Sequence, residues 1–477
     1  MKNYQSVCCN GPASQNNRVS QAFLSVVAVI IAVLFSLKHL WDTTGLVMYI
    51  YGIIDLLCAG TILFCAVTGF KRVRKELLAV SLFFVSAGIS TIIEKKEVLV
   101  YYLFVFFGLI GSMLVCYLSA RIIPDYRSFI RLILFILISI YTALCCAVLV
   151  KATGSLFLEV PTEDTFWGCF QGVRLCGLGN PNTIASIGAA LVMLSAFGFM
   201  FFTKRSRWIL VATGLTGWIV LGMSGSRTSQ LGAAASVFVL LFAIFVSNNK
   251  ISFGKSSSVI VIISIALSSV AFVLVFLSFS LPSLIYKGIM LSVGKLFDFN
   301  NLINNLTGFS SREIVIDPSM TGRVTIWIKC LKMCFSDLRH VLFGISYLGS
   351  EVISVSHGDV VYEYTMSHNV FLEWFWRYGL VGLAIWMVPL VNWCIDGITV
   401  LFNPRERLCF RYSAAAAAGM LLMGMAEATP FYPGTLLAPP FFLICGLCVR
   451  LNRDREAKKA EEASSGTLSE TPEESVE

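Results

Sequence analysis

Apolar runs of roughly 20 residues recur from one end of the chain to the other, each long enough to cross a hydrocarbon core about 30 Å thick. They predict about twelve membrane-spanning helices, near residues 20–37, 46–68, 77–93, 98–120, 132–150, 182–203, 208–223, 229–247, 257–281, 380–402, 412–427 and 434–449. Barrel strands would be short and alternating, so the pattern reads as an all-α polytopic bundle. One polar excursion, residues 282–369, interrupts it. That is too long for a plain connector and is expected to carry function. Inside it Val324, Trp327, Ile328, Leu331 and Phe335 fall on one helical face. They predict an amphipathic helix that lies on the membrane or caps the bundle. The stretch from Ser346 to Thr365 shows no clear period. The excursion closes on Met366-Ser367-His368-Asn369, where Ser367 or Asn369 can cap the next helix. The aromatic run that follows, Phe371, Trp374, Phe375, Trp376 and Tyr378, suits a bilayer–water interface.

Composition agrees with this pattern. Of 477 residues, 57% are hydrophobic and 13% are charged, against about 25% charged in a soluble protein. The net charge of +8 is a topology signal first. Alternate short loops carry Lys71, Arg72, Arg74 and Lys75; Arg121, Arg127 and Arg131; Lys204, Arg205 and Arg207; Lys250 and Lys255; and Arg405, Arg407 and Arg411. The short loops between them carry only Lys38, Lys95, Lys96, Lys151, Arg174 and Arg227. The positive-inside rule then puts both termini in the cytoplasm and residues 282–369 outside it. Three regions follow: an N-terminal tail (1–19), a transmembrane domain (20–450), and a tail (451–477) too poor in apolar residues to fold. No small-residue cleavage site follows the first run, which is expected to be a retained anchor. A nucleic-acid partner would need a concentrated basic face, and none is visible. Most of the cysteines lie in apolar runs as small hydrophobes. Cys169 and Cys176 share a loop and could pair, and Cys330 and Cys334 share a helix face.

Three residues carry candidate chemistry. Arg227 lies in the tight turn Ser224-Gly225-Ser226-Arg227-Thr228 between two spans. An arginine at membrane depth costs about 2.5–3.5 kcal/mol on insertion scales, which makes it a site hypothesis. Its plain alternative is a snorkelling side chain that sets topology. Arg323 stands at the start of the amphipathic helix, where a cation opposes the helix dipole. Beside free helix N–H groups it suits an anion, phosphate above all. The alternative is a loop arginine paired with Asp317 or Glu313. His368 can take or hand on a proton near neutral pH, or can merely cap a helix. Glu373 is placed to pair with Arg377 four residues on. Glu351, Asp359 and Glu363 read as solvated, and Asp55 is an isolated acid near a helix centre. No cysteine–histidine spacing resembles a metal site, and no phosphate-binding glycine loop is present. Two outward arginines and a histidine suggest a phosphate-bearing lipid headgroup. Outside the cell there are no nucleotides, so a glycosyl donor must bring its own leaving group.

The chain here resembles the O-antigen ligase and polysaccharide polymerase superfamily. The matching residues are Gly179-Asn180-Pro181-Asn182, Ser224-Gly225-Ser226-Arg227-Thr228, Gly322-Arg323 with Trp327, Phe343-Gly344-Ile345, and His368-Asn369 with Leu372, Gly379 and Gly382. The resemblance runs from about Asn180 to the final helix. It implies a metal-independent, inverting glycosyltransferase of the C-type membrane fold (GT-C), without cofactor, in the cytoplasmic membrane of a bacterium. Arg227 and Arg323 would bind the pyrophosphate of an undecaprenyl-linked glycan. His368 would orient or deprotonate the hydroxyl of a glycan or lipid acceptor, and Asn182 would fix the start of its helix. The rival reading is a transporter or flippase for lipid-linked sugars or other anions, whose basic residues would line a route through the bundle.

Overall fold

The computed structural model describes residues 15–37, 47–95, 99–123, 125–157, 170–171, 174–177, 181–199, 201–203, 205–252, 257–296, 319–345, 352–357, 360–427, 435 and 437–466. Its helices are α1 (Gln15–Ser36), α2 (Val47–Lys95), α3 (Leu99–Ile122), α4 (Tyr126–Phe157), α5 (Pro181–Gly198), α6 (Arg207–Ser224) and α7 (Arg227–Ser252). They continue with α8 (Ser257–Ser278), α9 (Leu281–Leu296), α10 (Ser319–Cys334), α11 (Leu338–Phe343), α12 (Val370–Leu401), α13 (Leu408–Gly424) and α14 (Ala438–Gly466). Two antiparallel hairpins complete the described structure. One pairs β1 (Phe170–Gln171) with β2 (Arg174–Leu175), the other β3 (Ile353–His357) with β4 (Val360–Tyr364).

The protein is an all-α polytopic membrane bundle. Among the described residues, eight helices are long and apolar enough to cross a membrane, and Ala22–Ser36, Ser81–Ile93 and Leu408–Gly424 are shorter apolar helices. These eleven segments and the start of α14 fall on the spans the hydropathy pattern marks. The shortness of α13 goes with tight packing. Gly419 and Gly232 face each other so closely that a Cβ on Gly419 would meet the Gly232 carbonyl oxygen at 2.4 Å, the small-residue approach that replaces a hydrophobic drive inside lipid. Glycines 188 and 217 do the same for α5 and α6.

The backbone is helical from Val47 to Lys95, where two spans are expected. Contacts with α3 reconcile the two. Asp55 lies against Gly108, and Phe83 lies 5.8 Å from Phe106 between ring centroids. In a straight helix residues 55 and 83 would stand about 42 Å apart. The stretch therefore folds back between Phe64 and Leu78 and acts as two arms, one on either side of α3.

Two expectations are corrected. The aromatic run is not an interfacial belt: Trp374, Trp376 and Tyr378 are fully buried. Trp374 packs on Phe83 and stacks on Trp386 at 4.8 Å, while Trp376 belongs to a second core with Ile326, Cys330, Cys334, Ile345 and Ile353. Packing against α2 and α10 outcompetes the interface for these rings. Of the two readings of α10, its apolar row does not cap the bundle; apart from Trp327 it is exposed, as a face laid on the membrane would be. Ile326, Cys330 and Cys334 are buried against α12, whereas Val324, Ile328, Leu331 and Phe335 are exposed. Lastly, the tail expected to be without structure is helical to Gly466. It prolongs the apolar, buried start of α14, which supplies the nucleus, and Arg450–Asp454 and Lys458–Glu462 add (i, i+4) pairs.

Cys330 and Cys334 are free buried thiols, and Cys176 is buried; Cys169 lies outside the described residues. A hydrogen bond with Cys334, together with burial, pushes the Cys330 thiol up, so it stays protonated and serves as core.

One irregularity places the site. Within α12, Gly379 has φ 65° and ψ −171°, so the helix breaks there. Gly344, with φ 71°, ends α11 against that break. A Cβ on Gly379 would lie 2.3 Å from the Leu342 carbonyl oxygen, and one on Gly344 would lie 2.5 Å from the Arg377 carbonyl oxygen. Only glycine meets both demands, positive φ and backbone touching backbone. The freed groups find partners: Ile345 N–H donates to the Trp376 carbonyl (2.9 Å), and the Ser90 hydroxyl donates to the Arg377 carbonyl (3.2 Å). The arm Val370–Tyr378 is thus set as a separate short helix.

Candidate functional site

The short arm carries His368 at its head. Asn369 is the cap: its Oδ1 accepts from Phe371 N–H (3.0 Å) and Leu372 N–H (3.1 Å), while its Nδ2 donates to the Met425 carbonyl (2.9 Å). His368 itself has φ 54°, an uncommon conformation for a residue with a side chain. Its neighbours hold it there. Ser367 N–H donates to Glu373 Oε2 at 2.6 Å, and Trp327 Nε1 donates to the Ser367 carbonyl at 2.9 Å. Glu373 is fully buried and pairs through Oε1 with Arg377 Nε (3.2 Å), whose Nη2 donates to the Thr365 carbonyl (2.6 Å). Residues 365, 367 and 369, on both sides of the histidine, are therefore tied into one buried network.

At this end of the bundle His368 meets Glu427, three residues beyond the end of α13. The imidazole Nδ1 lies 3.0 Å from Glu427 Oε2. The other carboxylate oxygen, Oε1, accepts from Arg323 Nη2 at 2.6 Å and from Asn182 Nδ2 at 3.0 Å. Arg323 Nη1 also donates to the Thr228 hydroxyl (3.1 Å), at the head of α7. Asn182 Oδ1 accepts from Arg174 Nη2 (2.9 Å), and Arg174 Nε donates to the Ser224 carbonyl at the end of α6 (2.9 Å). One carboxylate thus joins α10, α5 and the head of α12 to the end of α13, and Arg174 of β2 reaches it through Asn182. The Glu427 side chain is 9% exposed, Arg323 21% and His368 27%, so the cluster is recessed but open.

Two of the three expected site residues, Arg323 and His368, come together on Glu427. Arg227 is next to Thr228 in sequence but its side chain is exposed, and among the described residues it makes no hydrogen bond or ion pair. Arg323 finds Glu427; Asp317 and Glu313, the alternative partners, lie outside the described residues. Asn182 is the residue expected to fix the start of its helix. It sits in the first turn of α5 and bridges Arg174 to Glu427. Asp55 packs against Gly108 and shares no contact with this group. Glu427 is the residue sequence reasoning missed. The rule that singles out Arg227 was available for it, since an acid closing the span 412–427 is a site hypothesis by the same argument.

The heads of α5, α7 and α12 all lie at this end, and their dipoles add positive potential to Arg174, Arg227 and Arg323. Among the described residues bonded in this cluster, Glu427 is the acid that stands against them. Among the described residues no three of His, Cys, Asp and Glu gather where they could hold a metal ion. The arrangement suits an anion beside a group that can move a proton.

Residues 212–387 match the family model described as O-antigen ligase. No curated protein matches the chain. The matched stretch runs from α6 into α12 and holds Arg227, Arg323 and His368; Arg174, Asn182 and Glu427 lie on either side of it.

Proposed function

From the premise that this is an O-antigen ligase-related membrane protein, we propose that it transfers a glycan from an undecaprenyl-pyrophosphate-linked donor to an acceptor hydroxyl. The transfer takes place at the outer face of a bacterial cytoplasmic membrane. The observation that carries the reading is the recessed cluster in which Arg323 and His368 share Glu427, with Arg227 exposed beside it.

The arginines take the donor's pyrophosphate. A guanidinium offers a planar two-point grip to phosphate oxygens and neutralises the charge that grows on the leaving group as the glycosidic bond breaks. His368 takes the proton of the acceptor hydroxyl. The hydroxyl oxygen then attacks the anomeric carbon from the face opposite the pyrophosphate, so the anomeric configuration inverts. With the charge met by arginines, the reaction needs no metal ion. The acceptor is a second lipid-linked glycan if the protein is a polymerase, and a lipid or other terminus if it is a ligase.

Purified protein in lipid tests the reading through two measurements, binding of a lipid-linked donor and release of undecaprenyl pyrophosphate. Arg323→Ala and Arg227→Ala are expected to weaken binding and slow turnover together. Arg323→Lys keeps the charge opposite Glu427 but loses the fork, so it should recover only part of the activity. EDTA should leave the rate unchanged; loss restored by Mg²⁺ or Mn²⁺ would refute metal independence. Normal binding and transfer in the Ala variants, with glycan export failing in cells, would replace this reading with transport.

The orientation has its own test. The end opposite the cluster gathers the basic loops: Arg411 Nε donates to the Leu401 carbonyl (2.7 Å) and Arg411 Nη2 to the Ser247 hydroxyl (2.7 Å), and Arg450 donates to the Ile123 carbonyl. By the positive-inside rule that end, with both termini, is cytoplasmic. In a cysteine-free background an impermeant thiol reagent should label Ser336→Cys in intact cells and reach Pro404→Cys only after lysis. The reverse pattern would overturn the orientation.

A further inference from the structure

We infer that Glu427 is a positioning residue that sets the tautomer of His368 and stabilises the imidazolium formed during transfer. The inference rests on the reading of His368 as the group that acts on the acceptor. An ionised carboxylate only accepts hydrogen bonds. With Oε2 3.0 Å from Nδ1, the proton of a neutral His368 resides on Nδ1. The lone pair is then on Nε2, the only ring atom left to act as base. When the acceptor hydroxyl gives its proton to Nε2, its oxygen forms the bond to the anomeric carbon. The bond from that carbon to the pyrophosphate oxygen breaks, and its electron pair leaves with the pyrophosphate. The charge that appears on the imidazole lies against Glu427, as in other carboxylate–histidine pairs that orient a base without accepting its proton.

Glu427 is not itself placed to be the base. Its Oε1 is occupied by Arg323 and Asn182, and its Oε2 by His368. Those three groups, from α10, α5 and the head of α12, are its hydrogen-bonding partners among the described residues. The same carboxylate therefore holds an arginine assigned to the donor and the histidine assigned to the acceptor. It fixes the spacing between the two.

Glu427→Gln separates the two roles. The glutamine carbonyl oxygen takes the place of Oε1, where two donors demand an acceptor. Its amide nitrogen then faces His368 Nδ1 as a donor. Nδ1 must accept, the ring proton moves to Nε2, and the lone pair needed for the acceptor's proton is lost. The expected result is near-normal donor binding with transfer slowed by roughly 10²-fold or more.

The experiment uses the full-length protein in lipid vesicles, with a lipid-linked donor as the probe. The chain has four histidines, so ¹⁵N-histidine labelling gives a spectrum simple enough to assign the His368 tautomer by comparison with His368→Ala. Wild type should show protonated Nδ1 and Glu427→Gln protonated Nε2. The double variant Glu427→Gln/His368→Ala should transfer no more slowly than His368→Ala alone, because Glu427 acts through the histidine. Glu427→Asp serves if the glutamine variant does not fold, and is expected to show partial loss in the rate with binding retained. A wild-type tautomer and rate in Glu427→Gln, or a double variant far slower than His368→Ala, overturns the inference. A His368→Ala that transfers at the wild-type rate overturns the underlying reading instead.

Discussion

His368→Ala is expected to cut glycan transfer by roughly 10²–10⁴-fold, the scale of a lost acid–base group, while donor binding stays near that of wild type. Two features support the asymmetry. The histidine contacts the site through Glu427, whereas the pyrophosphate is assigned to the arginines. A loss confined to turnover marks an interaction made in the transition state, and a loss confined to KM marks one made equally in the ground state. The backbone needs its own control, because φ at position 368 is 54° and alanine is strained there. Asparagine visits that region readily. His368→Asn should therefore keep the fold and still lose transfer. Equal transfer by wild type and both variants would reduce the histidine to a residue preceding a helix cap.

The second large effect is on stability. Glu373→Ala removes the carboxylate paired with a guanidinium that is itself only 5% exposed, leaving it the Thr365 carbonyl and the Trp376 ring among its contacts. Breaking a buried pair from one side costs about 3–5 kcal/mol, because the remaining charge has lost its compensation. It also removes the acceptor of Ser367 N–H, one of the bonds that hold His368 in its unusual conformation. The expected result is a clear fall in Tm, measured in detergent or lipid, together with loss of transfer at temperatures where the variant is folded. Glu373→Gln keeps an acceptor of the same shape and should lose less. Glu373→Ala/Arg377→Ala should be more stable than the sum of the single losses implies, since neither charge is then left alone. A loss well under 1 kcal/mol in Glu373→Ala would show that the network does not hold the arm.

The exposed row on α10 illustrates how far pattern alone reaches. Its period marks Val324, Ile328, Leu331 and Phe335 as one face, and they are one face. The period cannot say which way the helix is turned. Ile326, Cys330 and Cys334 win the inner side because the short arm of α12 offers Trp376 and Phe375 there. The hairpin of β3 and β4 was missed for a different reason. Ile353-Ser354-Val355-Ser356 alternates over only four residues, too short a run to separate from a loop.

By itself the sequence determined which stretches form apolar helices long enough to cross a membrane, because hydropathy is a local property summed over a window. It also determined which turns carry the arginines and the histidine, and that Glu373 and Arg377 pair, since (i, i+4) contacts follow from helix geometry. Only the tertiary structure decided that Arg323 and His368 share one site. They are 45 residues apart, and both reach it through Glu427, which is 104 residues beyond Arg323 and 59 beyond His368. Such a contact depends on how α10, α12 and α13 end at the same level. The break that aims His368 has the same origin: Gly344 and Gly379 look like ordinary turn residues until their backbones are seen to touch.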